Sequence, residues 1–148
     1  MRALALFLFA FATACGGASK FVHSSLATAA RGVQAADQLV AGRYEAAAHT
    51  NIEVSDTLEE YRSLMAKYDR AEEALRTARE ALLAAELVAD DVDAGQSGSG
   101  PVEIACAVSA LMHLSSVLTA IGVEVPREIK TALEVIGPIA SEACRVEQ

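Results

Sequence analysis

The sequence predicts an all-α protein. A long antiparallel helical hairpin over residues 20–92 is joined by a flexible linker, 93–100, to a shorter disulfide-closed hairpin over 101–148, and the whole is four-helix-bundle-like. Three observations carry this reading. Two apolar seams advance by alternating steps of three and four residues, the interval that holds one stripe on one helical face. A third segment, Ile104 to Val123, contains no Asp, Glu, Lys or Arg. Alanine, the strongest helix former, occupies 31 of the 148 positions. A chain that is 53% hydrophobic and 22% charged is too apolar to remain disordered. Its net charge of −8, without a basic cluster, argues against nucleic acid, where cations neutralising phosphates supply most of the affinity.

The first element is an apolar leader. Met1-Arg2 provides one positive charge, and the twelve residues Ala3 to Ala14 are apolar apart from Thr13 and end at Cys15-Gly16-Gly17. A short basic start, about 7–15 apolar residues and small residues before a cut form the secretory pattern. Twelve residues fall short of the roughly 20 that a membrane-spanning helix needs. Within it, Ala12-Thr13-Ala14-Cys15 resembles the cleavage region of bacterial lipoprotein signal peptides, which are cut just before a Cys whose sulfur receives a diacylglycerol. The resemblance covers about a tenth of the chain. It implies a signal peptide over 1–14, lipidation at Cys15 with palmitate-type acyl chains, and a tether over 15–19 that Gly16-Gly17 would make flexible. It also implies a bacterial or phage-encoded envelope protein held to the membrane by its N-terminal lipid. Gly16 is not the Asp associated with inner-membrane retention, which points to the outer membrane, facing the periplasm. The family usually has Leu three places before the Cys, and this chain has Ala12. Ala12-Thr13-Ala14 is equally an A-x-A site for ordinary signal peptidase, cutting the same bond, so plain secretion is a second reading and a retained anchor a third.

The first long helix follows from Val22, Leu26, Ala29, Val33, Ala36, Val40, Arg43 and Ala47, a coiled-coil-like seam interrupted only by Arg43. His49 to Ile52 breaks the pattern, and Ser55-Asp56-Thr57 offers N-caps for the next helix. The second seam is Tyr61, Leu64, Tyr68, Ala71, Leu75, Ala78, Leu82, Ala85 and Ala89. A short connection makes the two helices antiparallel, with lengths of about 45 and 50 Å. The opposite face of the second helix is charged and reads as a solvated surface, with Glu72 and Arg76 in the favourable i,i+4 order. Asp90-Asp91-Val92-Asp93 ends this helix, since three acids oppose the dipole at a C-terminus. It lacks the spacing of a calcium loop: Gly95 stands where a third ligand belongs and Val102 where the closing Glu belongs. Gln96 to Gly100 is the one clear linker, and Pro101 suits a helix start. The uncharged run 104–123 is long enough to span a bilayer, but Ser109, His113, Ser115, Ser116 and Thr119, and acidic flanks at Glu103 and Glu124, fit a helix buried in a bundle better. A turn from Gly122 to Pro126 leads to the fourth helix, which Gly137-Pro138 should kink or split.

With Cys15 assigned to lipid, Cys106 and Cys144 remain in an oxidising compartment. They are equidistant from residue 125 in the turn, so they should face each other in an antiparallel pair and form a disulfide closing its open end. Such a loop closure is worth about 4 kcal/mol. A zinc site from Cys106, His113 and Cys144 is the weaker alternative, as no paired ligand spacing supports it; no metal and no cofactor are expected.

Catalytic patterns are missing: no C-x-x-C-H, G-x-S-x-G, H-E-x-x-H or phosphate-cradling glycine loop occurs. His23, His49 and His113 have no acidic partner at a spacing that builds a relay. The resulting expectation is a non-enzymatic, lipid-anchored envelope protein serving as a structural or protein-interaction module with a protein partner. The alternatives are a phage-lysis lipoprotein of the outer-membrane spanin type, which three Pro and strong helical periodicity disfavour, and a small-ligand-binding helical bundle.

Overall fold

A computed structural model of the chain describes residues 3–54, 58–93 and 100–146, with side chains over 22–50, 58–89 and 102–138. The fold is all-α. Four helices, α1 (Ala3–Val54), α2 (Leu58–Asp93), α3 (Gly100–Ala120) and α4 (Arg127–Val146), follow in order, with no strand among the described residues. Contacts link α1 to α2, α2 to α3, α3 to α4 and α4 back to α1, so the helices close a ring. The pairs Asp37–Arg79 and Arg43–Tyr68 join α1 to α2, with one number rising as the other falls, so these helices run in opposite directions.

Both seams are inside. Val22, Leu26, Ala29, Val33, Ala36 and Val40 of α1 are buried, as are Tyr68, Ala71, Leu75, Ala78, Leu82, Ala85 and Ala89 of α2. From the other side, Ala107, Leu111, Leu114 and Leu118 of α3 and Ile129, Ala132 and Ile136 of α4 complete one apolar cluster. The two segments expected as separate hairpins therefore share a single core. Alanine on α1 and α2 brings the backbones close, and the leucines of α3 fill the space opposite.

One close approach between helices depends on a glycine. A Cβ at Gly32 of α1 would lie 2.7 Å from Ile129 Cγ1 and 2.9 Å from both Glu128 Cβ and the Ile129 backbone nitrogen. The first turn of α4 thus rests directly on the α1 backbone. That turn is capped by Pro126, whose carbonyl accepts hydrogen bonds from the Ile129 and Lys130 amides. The end of α3 is set by Gly122 at φ 74°. The Gly122 amide donates to Thr119 and the Val123 amide to Leu118, the paired bonds of a Schellman cap. Val123 and Leu118 are both buried, which supplies the apolar contact of that motif.

Several boundaries differ from expectation. α1 continues through His49–Ile52 to Val54, because one weak stretch does not end a helix supported by the packed turns before it. It also runs unbroken through residues 15–19, the expected tether; two glycines cost only about 1 kcal/mol each against Ala in a helix. α4 is one helix with Pro138 inside it, and is not split there. α2 includes all three Asp up to Asp93. The expected caps at 55–57 and the core of the linker, 94–99, lie outside the described residues.

Candidate functional site

Cys106, one of the three expected site residues, is a free and exposed thiol. The side chains of Cys15, expected to carry lipid, and Cys144, expected to bond Cys106, lie outside the described residues. No disulfide is formed among the described residues. His113 shares the exposed side of α3 with Cys106, and His49 is exposed on α1. No group of three metal-ligating side chains gathers among the described residues.

Arg43 explains the interruption in the first seam. It stands beside the turn between the end of α3 and the start of α4, and its guanidinium reaches the Gly122 carbonyl at 3.4 Å. A charged group at this level meets the backbone of the turn rather than a core. On its other side the Tyr68 hydroxyl donates to the Arg43 carbonyl at 3.3 Å, and the Tyr44 and Tyr68 rings meet edge to face with centroids 5.5 Å apart. Arg43, Tyr44, Tyr68 and the Gly122 turn thus form a plug at one end of the four-helix core. Past it, α1 and α2 project alone for about 16 Å, with Ala47, Ala48, Tyr61, Leu64 and Met65 only half-buried.

Next to this plug, on the outside of the α1–α2 pair, lies a groove of about 340 Å³ lined by Asp37, Tyr44, Glu45, Tyr68, Asp69 and Glu72 among others. Asp37 is paired there with Arg79 at 2.7 Å. Glu72 faces this groove rather than forming the expected pair with Arg76. Arg76 instead forks between Glu73 at 2.5 Å and Glu80 at 2.9 Å. Its hydrogen bond and charge hold the Glu73 carboxyl below its ordinary value, and Glu73, then Glu80, raise the Arg76 guanidinium. This cluster lies in solvent, where such pairs contribute little.

The outer side of α3 is different in kind. Only 28% of the apolar stretch Val102–Ala120 is buried, so α3 is not the fully enclosed helix its lack of charge predicts. Val102, Cys106, Ser109, His113, Ser116 and Ala120 are all exposed and spaced 4-3-4-3-4, with Met112 exposed beside them. Ser115 and Thr119 satisfy their hydroxyls on the carbonyls of Leu111 and Ser115 within the helix.

Comparison with known proteins yields no matching family model, no similar curated protein and no similar solved structure.

Proposed function

We propose that this chain is a non-enzymatic, lipid-anchored protein of the bacterial cell envelope, whose helical bundle is a structural and protein-interaction module. The observation carrying this reading is the run Met1 to Cys15: one cation, twelve apolar positions and Ala12-Thr13-Ala14 ahead of the Cys. Cleavage at that bond leaves Cys15 to take the diacylglycerol. Gly16 directs the product to the outer membrane, with the bundle in the periplasm. The mature chain then carries 11 basic and 20 acidic residues, a net −9 after loss of Arg2.

In the same reading Cys106 and Cys144 form a disulfide between α3 and α4, and the exposure of Cys106 leaves its sulfur open to an oxidant. Intact-mass analysis before and after reduction tests this: two free thiols per chain refute it. The anchor is tested by metabolic labelling with an alkyne fatty acid, comparing the wild-type chain with Cys15→Ser. Label should vanish in the variant; label retained there overturns the assignment of Cys15, and a wild-type chain without label leaves plain secretion.

A further inference from the structure

We propose that the groove between α1 and α2 binds a linear aliphatic polyamine, a chain of ammonium groups joined by methylenes. The inference concerns the folded bundle and does not depend on a lipid at Cys15. The groove holds about 340 Å³, within the range of small-molecule sites. Its inner wall is apolar and aromatic. Val40, Leu75 and Tyr68 are buried there, and the Tyr44 ring meets the Tyr68 ring edge to face at 83°. The bond from the Tyr68 hydroxyl to the Arg43 carbonyl fixes that ring in place. Methylenes pack on such a wall, and tyrosine faces attract an ammonium group through the ring quadrupole.

The charges around the groove select the occupant. Asp37 and Glu45 of α1 and Asp69 and Glu72 of α2 line it, and no Lys or Arg does. Asp37 is neutralised by Arg79 at 2.7 Å. Arg76, the neighbouring cation on α2, is turned away and held by Glu73 and Glu80. Among the described residues no cation pairs with Glu45, Asp69 or Glu72. These three carboxylates therefore stand uncompensated in a chain of net charge −8, a field that concentrates cations and repels anions. The charges are also spread out. No group of three metal-ligating side chains gathers among the described residues, whereas a single metal ion needs its oxygen ligands to converge. Asp37 and Glu45 lie eight positions apart on α1, which distributes the acids over about 12 Å of groove. A ligand that meets them must carry several positive charges along an apolar chain. A polyamine has that pattern, with ammonium groups over the carboxylates and methylenes over the rings.

Titration calorimetry of the purified full chain with spermidine at low salt tests this. The expected result is one saturable site per chain that weakens as salt is raised. Asp69→Asn together with Glu72→Gln should weaken binding about tenfold. Glu59→Gln together with Glu134→Gln removes the same charge from exposed positions outside the groove and should weaken it less than about twofold. Arg79→Gln releases Asp37 from its pair and should tighten binding about threefold, a gain that damage to the fold would not produce. Asp69 and Glu72 are exposed, so their substitution leaves the core intact, and an unchanged helical circular-dichroism signal verifies it. No saturable binding, equal losses in the two double variants, or no gain with Arg79→Gln overturns the proposal. So does magnesium displacing spermidine at equal concentration, or trilysine, of equal net charge, binding as tightly.

Discussion

Gly32→Ala adds one carbon at the point where α4 begins, and the structure sets both terms of its effect. In an exposed helix the change would stabilise by about 1 kcal/mol, the difference in helix propensity. At this position the new Cβ would stand 2.7 Å from Ile129 Cγ1 and 2.9 Å from the Ile129 nitrogen. The Ile129 side chain can rotate, but its backbone nitrogen sits in the first turn of α4 and cannot yield alone. Restoring ordinary contact at 3.4 Å with that nitrogen requires α4 to retreat by about 0.5 Å, away from a core in which Ile129 and Ile136 are fully buried. Overpacking of this kind costs about 1–3 kcal/mol. With the propensity gain of about 1 kcal/mol offset against it, a net loss of up to about 2 kcal/mol is expected, lowering the melting temperature by as much as roughly 6 °C. Gly42→Ala is the matched control, because nothing lies within 4 Å of its Cβ; it should gain up to about 1 kcal/mol. Urea denaturation followed by circular dichroism compares the two. If Gly32→Ala is as stable as Gly42→Ala, the close α1–α4 approach is wrong.

Other substitutions probe the remaining packing and caps. Leu111→Ala, at a fully buried position, should cost about 3 kcal/mol in chemical unfolding, while Leu87→Ala, 68% exposed, should change stability by less than about 0.5 kcal/mol. Gly122→Ala forces a Cβ into the left-handed region at φ 74° and should cost about 1–2 kcal/mol by the same assay. Tyr68→Phe removes the bond to the Arg43 carbonyl and should cost about 1 kcal/mol. The depressed Glu73 carboxyl contributes stability that is present above the ordinary carboxylate range and lost as pH falls through its lowered value. An NMR titration should therefore place the Glu73 midpoint below that of an unpaired glutamate, and Arg76→Ala should move it back up.

The seams were legible because burial on α1 and α2 follows the periodicity of a single helix: every apolar seam position from Val22 to Val40 is buried. What a second helix decides was not legible. Gly32 reads as a mild defect until Ile129 is seen resting on it. Arg43 reads as a flaw in the seam until the Gly122 carbonyl appears across the turn, although a lone charge in an apolar stripe marks where a core stops. α3 misled in the opposite way. Absence of charge predicts burial, but composition averages over both faces, and in α3 only the inner one is enclosed. The pairing of Arg76 was also set by a competition that spacing alone leaves open, with Glu73 and Glu80 available and Glu72 turned to the groove.

The lone projection of α1 and α2 beyond the Gly122 turn divides the molecule into two cooperative units. From Tyr68 inward, opening a helix means exposing core from all four at once. From Tyr68 outward, among the described side chains, no residue is fully buried, so that segment can separate and close again while the bundle stays folded. Amide protons there should exchange at rates set by this local opening, and those of Leu75 or Leu111 at rates set by global unfolding. Among the described helices, a protease would find its first cut in the projecting arm and leave a nicked bundle whose two pieces remain held together by the core below the tyrosines.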